Sequence, residues 1–253
     1  MTFKEIPERL SRLKLLLQEE GLEKLNDATI MVLGLGGVGS NCAEALARGG
    51  IGSLILIDGD VVDTSNINRQ AIAFHSTVGR VKAEVMSEMV RDINPDCQIH
   101  AQQLFLKKDQ IVEMLGAFSR PDYVIDCIDT VSQKLAVAEW CAQEGLPLLS
   151  SMGAANKLDP TFLKFSYVEH TNYCPLSKVM RIECRKRGIQ QLEVLFSNEV
   201  PFKVNQPEGN TKAQTLGSMS YMPPIMGQML AGKVIRRLAG LEKFKVTPKI
   251  YRK

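Results

Sequence analysis

From residue 26 to about residue 155, short apolar runs alternate with segments whose apolar residues recur at helical spacing. The runs are bounded by glycine, proline or charged residues, a pattern typical of buried strands. The predicted strands are residues 30–33, 54–57, 98–106, 123–128 and 146–150. The predicted helices are residues 41–48, 81–93, 108–118 and a segment that begins near Thr130 or Ser132 and ends at Glu144. This alternation predicts an α/β fold with a mostly parallel sheet.

Beyond about residue 156 the pattern changes and becomes less regular. The elements predicted there are strands at 162–169 and 192–196, a basic helix at 176–186, a glycine-, proline- and asparagine-rich loop at about 201–218, and a last helix at 223–238. We therefore expect a single domain over residues 1–253. It would consist of a doubly wound core at about 26–155 and an extended α+β part at about 156–253.

An amphipathic arm precedes the first predicted strand. Its apolar residues recur at helical spacing at Leu10, Leu13, Leu16 and Leu17. Gly21 is expected to divide the arm into two short helices. Arg9 and Arg12 also lie on it, and two interpretations stay open: the arm packs on a partner subunit, or it presents a solvated basic face.

A glycine-rich turn joins the first strand to the next helix. Gly34, Gly36, Gly37 and Gly39 would let backbone N–H groups approach phosphate oxygens at the positive end of the helix dipole. Ser40 is the expected N-cap of that helix. Asp58 ends the second strand, 19 positions after Gly39, where a carboxylate can accept hydrogen bonds from ribose hydroxyls. Strand, turn, helix, strand and acidic residue together predict a Rossmann-like nucleotide site.

Composition narrows the protein class only modestly. The net charge of +3 is too small to imply nucleic acid by itself, and no apolar run approaches the ~18 residues of a membrane span. The first residues lack the apolar segment of a signal peptide. Six scattered cysteines without a CxxC pair favour reduced thiols and a cytoplasmic location.

Two kinds of nucleotide chemistry compete for the glycine-rich turn. An NAD-dependent dehydrogenase would need Asp58 and a hydride-transfer site, whereas an adenylating enzyme must also neutralise a triphosphate. The chain has the extra cations in Arg69 and Lys82. It also has Asp126 and Asp129 at a neighbouring strand end, where a carboxylate can hold Mg²⁺. This cation set suits in-line attack on a phosphate and is not required for hydride transfer.

Six ordered motifs carry a resemblance to the ubiquitin-activating-enzyme superfamily, whose bacterial members activate the C-termini of the molybdopterin and thiamine sulfur carriers. The motifs are GLGGVGS (34–40), LIDGD (56–60), NINRQ (66–70), VGRVKAE (78–84), INPD (93–96) and DCIDT (126–130). The resemblance implies an enzyme that binds Mg²⁺ and ATP and adenylates a carboxylate.

The same resemblance implies roles for individual residues. Asp58 would hold the ribose, Arg69 and Lys82 the phosphates, and Asp129 the Mg²⁺. Arg12 would reach the triphosphate of the other subunit in a homodimer, whose interface would involve the C-terminal part. The further nucleotide-binding residues implied are Gly34, Gly36, Gly37, Gly39, Ser40, Asp60, Asn66, Gln70 and Asp126.

The C-terminal part distinguishes the branches of this superfamily. Zinc-bearing members carry two CxxC pairs and thioester-forming members carry a cysteine in the loop before the last helix, and this chain has neither. Residues 157–189 and 217–235 instead resemble the tRNA threonylcarbamoyladenosine dehydratases. That family activates the threonyl carboxylate of a modified adenosine next to the anticodon, and the side chain then closes into a ring. The resemblance therefore implies ATP and Mg²⁺, a tRNA substrate, no zinc and no membrane partner.

Basic residues of the C-terminal part are candidates for RNA contact. Those on the predicted helix are Lys178, Arg181, Arg185, Lys186 and Arg187. Those of the tail, which are equally well explained as a solvated terminus, are Lys243, Lys245, Lys249, Arg252 and Lys253. Two rival functions stay open: an adenylyltransferase acting on the Gly-Gly terminus of a sulfur carrier, and a non-catalytic nucleotide-binding partner of a sulfur-transfer protein.

Overall fold

The computed structural model describes residues 6–204, 216–244 and 248–251. Its main feature is a seven-stranded sheet whose spatial order is β3-β2-β1-β4-β5-β8-β6. The strands are β1 (Thr29–Leu33), β2 (Ser53–Asp58), β3 (Gln98–Gln103), β4 (Tyr123–Asp126), β5 (Leu148–Ser151), β6 (Leu163–Tyr167) and β8 (Glu193–Ser197). All neighbours are parallel except β6, which runs antiparallel to β8. A separate short ladder pairs β7 (Ile189–Gln190) with β9 (Lys249–Ile250). The predicted α/β class is confirmed.

Seven α-helices are described. They are α1 (Ser11–Asp27), α2 (Gly39–Arg48), α3 (Lys82–Ile93), α4 (Ile111–Gly116), α5 (Val131–Glu144), α6 (Pro175–Arg187) and α7 (Met222–Leu238). One apolar core joins α2, α3 and α7 to one sheet face, and a second joins α4, α5 and α6 to the other. Helices on both faces explain why the central strands are apolar along their whole length. None of the described helices is long and apolar enough to cross a membrane.

The central strand β1 is hydrogen-bonded on both sides, to β2 and to β4. Its residues Ile30, Val32 and Leu33 are fully buried, as the apolar run at 30–33 predicts. The edge strand β3 is largely exposed, which explains its polar sequence and its irregular alternation. It ends at Gln103, three residues before the predicted end.

One local prediction is misplaced and another is wrong. The arm is divided into two helical pieces within α1, as expected, but the break is at Gln18 (φ 59°) and not at Gly21, which is buried inside the second piece. Ser40 is not an N-cap, because α2 already begins at Gly39. Its buried hydroxyl instead donates to the Gly36 carbonyl (2.7 Å) and accepts from Ala71 N–H (3.0 Å), so it ties the glycine turn to the following loop.

At the amino ends of the strands, a polar network closes the C-terminal half onto the core. Arg237 near the end of α7 donates two hydrogen bonds to Glu193 (2.7 and 2.9 Å) and one to the Tyr123 hydroxyl (2.6 Å). Glu242 accepts from Arg237 (3.2 Å) and pairs with Lys233 (2.7 Å). We call these five residues the amino-end clasp. Burial raises the pKa of Tyr123 to about 12.

Candidate functional site

The candidate site lies at the carboxyl ends of β1, β2 and β4. In the sheet register Leu33, the last residue of β1, is paired with Ile57 of β2 and with Asp126 of β4. Chain connections run in opposite directions from β1, because β2 and β4 lie on its two sides. A crevice at such a switch point is where open α/β sheets bind their ligands.

The glycine-rich turn has little room for side chains. Gly34 has φ +84°, and a side chain at Gly39 would collide with the Gly34 carbonyl oxygen. Gly36 faces open space, with the amide nitrogen of Gln70 the nearest atom, 3.9 Å from where a Cβ would lie. The first N–H groups of α2 have no partner within the helix. The turn therefore presents backbone donors and a helix N-terminus to an open face, an arrangement suited to a phosphate.

Asp58 stabilises the turn from the neighbouring strand. Its carboxylate accepts hydrogen bonds from the N–H groups of Leu35 (2.5 Å) and Asp60 (2.8 Å). Burial raises the pKa of Asp58, although the nearby Lys82 ammonium acts in the opposite direction. Each carboxylate oxygen has a further lone pair, so Asp58 can still accept from a ribose hydroxyl.

Lys82 starts α3 and points its ammonium towards the loop after β2. The side chain is 7% exposed, and its Nζ lies 3.0 Å from Oδ2 of Asp60, which is 59% exposed. The buried Lys82 ammonium can exchange this carboxylate for a stronger anion, because the exposed Asp60 side chain can turn to solvent. Lys82 is thus the best-placed described cation for a phosphate, and Asp60 is its internal counter-ion.

The NINRQ loop contributes Arg69, Asn66 and Gln70. The Arg69 guanidinium donates to Ser65 O (2.8 Å) and Asn68 Oδ1 (2.7 Å), while its stem lies against Gly37. Asn66 Oδ1 accepts from Asp63 N–H (3.1 Å) and so serves the loop itself. Gln70 is buried, and its Oε1 has no partner among the described residues, which leaves this amide free for a ligand or water.

Asp126 and Asp129 differ sharply in their surroundings. Asp126 is 1% exposed and is engaged by Lys134 (2.8 Å), by the Ser150 hydroxyl (2.6 Å) and by Ile128 N–H (3.0 Å). Asp126 therefore holds the loop in place from below, and this geometry does not favour the predicted contact with a nucleotide. Asp129 is exposed, and its only described partner is the Thr130 hydroxyl (3.3 Å).

Magnesium is compatible with this donor set. Mg²⁺ is commonly held by one or two carboxylates together with substrate phosphates, and Asp129 supplies one such carboxylate. In the part of the chain that the structure describes, no group of three or more His, Cys, Asp or Glu residues could hold a metal ion by itself. The absence of zinc stays a prediction.

Arg12 lies apart from these residues on the exposed side of α1. Among the described residues it has no hydrogen bond or ion pair, whereas the neighbouring Arg9 bonds to Asn94 (2.7 Å) and Asp96 (2.6 Å). Leu15 and Leu16 on the same arm are 75% and 76% exposed. An unpaired cation beside two exposed leucines favours the interpretation in which the arm packs on another surface.

The basic residues of α6 do not form one free surface. Arg181 donates to Thr171 O (2.7 Å), and Lys186 and Arg187 pair with Glu183 (2.7 and 2.5 Å). The α6 cations whose side chains have neither an ion pair nor a hydrogen bond in the described chain are Lys178 and Arg185. Of the predicted basic tail, Lys243 and Lys249 are exposed, whereas Lys245, Arg252 and Lys253 lie outside the described residues.

Two contacts of the site were not predicted from the sequence. Lys134 is fully buried under Asp126. The only feature of the sequence that could have indicated this is the position of a lysine within the apolar stretch of α5. Pro223 at the start of α7 packs against Gly37, 2.8 Å from where a Cβ would lie. The C-terminal helix is therefore part of the phosphate-turn surroundings.

Residues 8–252 match the ThiF family. The chain belongs to the ThiF family. This ThiF-family chain is 39% identical over 241 residues to the tRNA threonylcarbamoyladenosine dehydratase of Bacillus subtilis, which covers 91% of the chain and 94% of that protein. Its fold matches the crystal structure of E. coli tRNA N6-threonylcarbamoyladenosine dehydratase in complex with ATP, with a TM-score of 0.84 and 30% identity over 94% of this chain and 96% of that one.

A more limited similarity links the chain to a sulfur-carrier enzyme. The molybdopterin-synthase adenylyltransferase of Salmonella typhimurium is 35% identical over 151 residues, which are 60% of this chain and 59% of that protein. The similarity to the dehydratases extends over the C-terminal part as well. The resemblance expected from the motifs is confirmed.

Proposed function

We propose that this ThiF-family chain catalyses the ATP-dependent dehydration of N6-threonylcarbamoyladenosine in tRNA. The observation that carries the proposal is the similarity to dehydratases over nearly the whole chain, together with one sheet edge that holds the glycine turn, Arg69, Lys82 and Asp129. That edge offers a phosphate cradle, two cations and a free carboxylate, which is the set that adenylation of a carboxylate needs.

The proposed reaction has two steps. A threonyl carboxylate oxygen attacks the α-phosphorus of ATP, the bond to the β-phosphate oxygen breaks, and pyrophosphate leaves. A nucleophile within the same modified side chain then attacks the acyl carbon, loses its proton and expels AMP, which keeps the carboxylate oxygen. Ring closure within one molecule gains from proximity, so the enzyme needs no thiol to carry the acyl group.

The chain's own residues orient and neutralise the reactants. The glycine turn and the N-terminus of α2 hold phosphate oxygens, and Lys82 exchanges Asp60 for the charge that develops on the leaving pyrophosphate. Arg69 supports the turn from the loop side. Asp129 would hold Mg²⁺, which neutralises phosphate charge when bound. Gln70 can direct its free amide oxygen to a hydroxyl or water.

The rival function is adenylation of the Gly-Gly end of a sulfur-carrier protein. The exchange of ³²P-labelled pyrophosphate into ATP tests the two. We expect stimulation by tRNA carrying threonylcarbamoyladenosine and none by a small protein ending in Gly-Gly. Tenfold or greater stimulation by the protein alone would exclude the proposed function.

We further propose a cytoplasmic homodimer in which Arg12 completes the partner's site. The exposed leucines and the unpaired Arg12 on α1 support this. In a twofold dimer such an exchange is reciprocal. Mixing Arg12→Ala with Lys82→Ala subunits should therefore restore about a quarter of the sites. If proven heterodimers regain nothing, Arg12 acts within its own subunit. A sulfur-transfer protein as an additional partner can be tested by co-purification.

A further inference from the structure

Three exposed aromatic side chains are attached to one short segment of the C-terminal part. Tyr173 is 60% exposed, Phe202 58% and Tyr221 37%. Each is hydrogen-bonded to one of three consecutive residues: Phe202 N–H donates to Asn156 O (2.8 Å), Lys157 Nζ to Tyr173 O (3.2 Å), and the Tyr221 hydroxyl to Leu158 O (2.8 Å). We call Tyr173, Phe202 and Tyr221 the aromatic strip.

The backbone under the strip is firmly held. Asn156 N–H donates to Gly217 O (2.9 Å), and Asn156 Oδ1 accepts from Gly217 N–H (2.8 Å). Lys157 is 1% exposed, and its ammonium donates to the carbonyls of both Tyr173 and Glu199. Asn156 and Tyr173 have positive φ angles (57° and 49°), an uncommon conformation that surrounding contacts must maintain. The exposed rings are therefore attached to a backbone segment that is held by several hydrogen bonds.

The strip lies between the candidate nucleotide site and helix α6. On one side, Tyr221 comes two residues before Pro223, which packs against Gly37, and the nearby Ser218 carbonyl accepts from Asn68 in the NINRQ loop (3.0 Å). On the other side, Tyr173 directly precedes Cys174, the N-cap of α6. The surface therefore connects the phosphate turn to the basic helix.

Two exposed cations lie beside the strip, whereas the carboxylates of Glu199 and Asp159 at the same segment accept hydrogen bonds from the N–H groups of Leu158 (2.9 Å) and Thr161 (2.8 Å). Lys203 follows Phe202 in the chain, and Lys178 lies in the first turn of α6. Both are exposed, and neither has an ion-pair partner within the described ranges. Exposed rings flanked by unpaired cations suit a polyanion that carries flat apolar groups. Unstacked bases of single-stranded RNA have this chemistry, since they stack on aromatic side chains while their phosphates meet lysines.

We propose that the aromatic strip is the platform on which this enzyme stacks unpaired nucleobases of its RNA substrate, next to the adenosine whose side chain enters the nucleotide site. Lys178 and Lys203 contact the phosphates of the same nucleotides. This inference rests on the proposed function and assigns it a substrate-binding surface. A loop of RNA bound there would place a base beside Tyr221, and hence beside the phosphate turn.

Affinity for an anticodon stem-loop that carries threonylcarbamoyladenosine tests the proposal. This affinity is measured over a series of KCl concentrations. Tyr173→Ala and Phe202→Ala should each weaken binding of the stem-loop about 5- to 100-fold without altering the salt dependence. Lys178→Ala should reduce the log–log salt slope by about 1. Phe202→Leu, which keeps an apolar side chain of similar size, should weaken binding like Phe202→Ala, whereas Phe202→Tyr should restore it. Phe74→Ala is the matched control, because Phe74 is 57% exposed but lies off the strip.

An abasic stem-loop sharpens the test. If the rings stack on bases, removing one base next to the modified adenosine weakens binding to the unaltered protein, and Phe202→Leu adds little further loss. ATP affinity, measured in parallel, should be unchanged in every strip variant and so reports correct folding. If the strip variants bind and convert the RNA as well as the unaltered protein does, the proposed stacking platform is wrong, but the proposed function stands. An unaltered protein that neither binds nor converts the RNA would overturn the proposed function and the platform together.

Discussion

The two ends of the sheet hold similar polar side chains in opposite arrangements. At the amino ends, the clasp residues Arg237, Glu193, Tyr123, Glu242 and Lys233 satisfy one another. The carboxyl ends hold an exposed Asp129, an Asp60 that can release Lys82, and a buried Gln70 oxygen that no described residue satisfies. Polar groups that all bond to one another stabilise the fold. Polar groups that lack a protein partner remain available to bind a ligand. This difference predicts which substitutions affect stability and which affect chemistry.

The largest expected effect is on stability, at the clasp. Arg237→Leu leaves the half-buried carboxylate of Glu193 without its bidentate partner, and breaking one partner of a buried ion pair costs about 3–5 kcal/mol. We expect a correspondingly lower free energy of unfolding in urea, while ATP affinity under native conditions is retained. A variant with wild-type stability would show that the clasp does not hold the C-terminal half.

Two substitutions at the carboxyl ends of the strands should affect turnover more than stability. Lys82→Ala and Arg69→Ala should each slow turnover about 10²- to 10³-fold, the usual effect of removing one preorganised electrostatic donor. Stability should change far less than in Arg237→Leu, because Lys82→Ala leaves only Asp60 without its ion-pair partner, and Asp60 is 59% exposed. Single-turnover product formation and thermal unfolding of the same samples check both statements. Normal turnover in either variant would move the adenylation site elsewhere.

A smaller, pH-dependent effect separates the clasp from the site. Glu242 is partly desolvated, yet hydrogen bonds from Lys233 and Arg236 and the nearby charges of Lys233 and Arg237 lower its pKa from 4.5 to about 2. A folded-state pKa below the unfolded value stabilises the fold above about pH 4.5, and that contribution is lost as the pH falls towards 2. The melting temperature of Glu242→Gln should therefore depend less on pH than that of the unaltered protein below about pH 5. Parallel curves would contradict this.

The smallest expected effect concerns the cysteines. Cys174 Sγ accepts from Ser177 N–H (3.5 Å) as the N-cap of α6, and serine is an equally good cap. Burial raises the pKa of Cys184 to about 12, so its thiolate is scarce at neutral pH. Cys174→Ser and Cys184→Ser should keep turnover within about tenfold. A trapped thioester together with a loss of several orders of magnitude would reveal a covalent route.

Sequence reasoning succeeded where the constraint is local. The central strands and the glycine turn were predictable, because a buried parallel strand must be apolar throughout and a left-handed Gly34 tolerates no other residue well. It failed where partners come from distant segments. Nothing near Asp126 indicates that Lys134 and Ser150 occupy its carboxylate, and the sequence of α6 does not indicate that Glu139 of α5 pairs with Arg187 (3.3 Å). The arm breaks at Gln18, whereas Gly21 lies inside the second helical piece, close to Ala239.

The contact between Gly37 and Pro223 has a consequence for synthesis of the chain. These residues are 186 positions apart, so a ribosome that adds about 5–20 residues per second completes the glycine turn about 10–40 s before its neighbour in α7 exists. During that interval the apolar face of α2 that later meets α7 lacks its cover. A nascent chain therefore passes through a stage in which the glycine turn has been synthesised but its contact with α7 cannot yet form. Chains that terminate early should accumulate as aggregation-prone species, and only chains that include α7 should present a finished cradle to nucleotide.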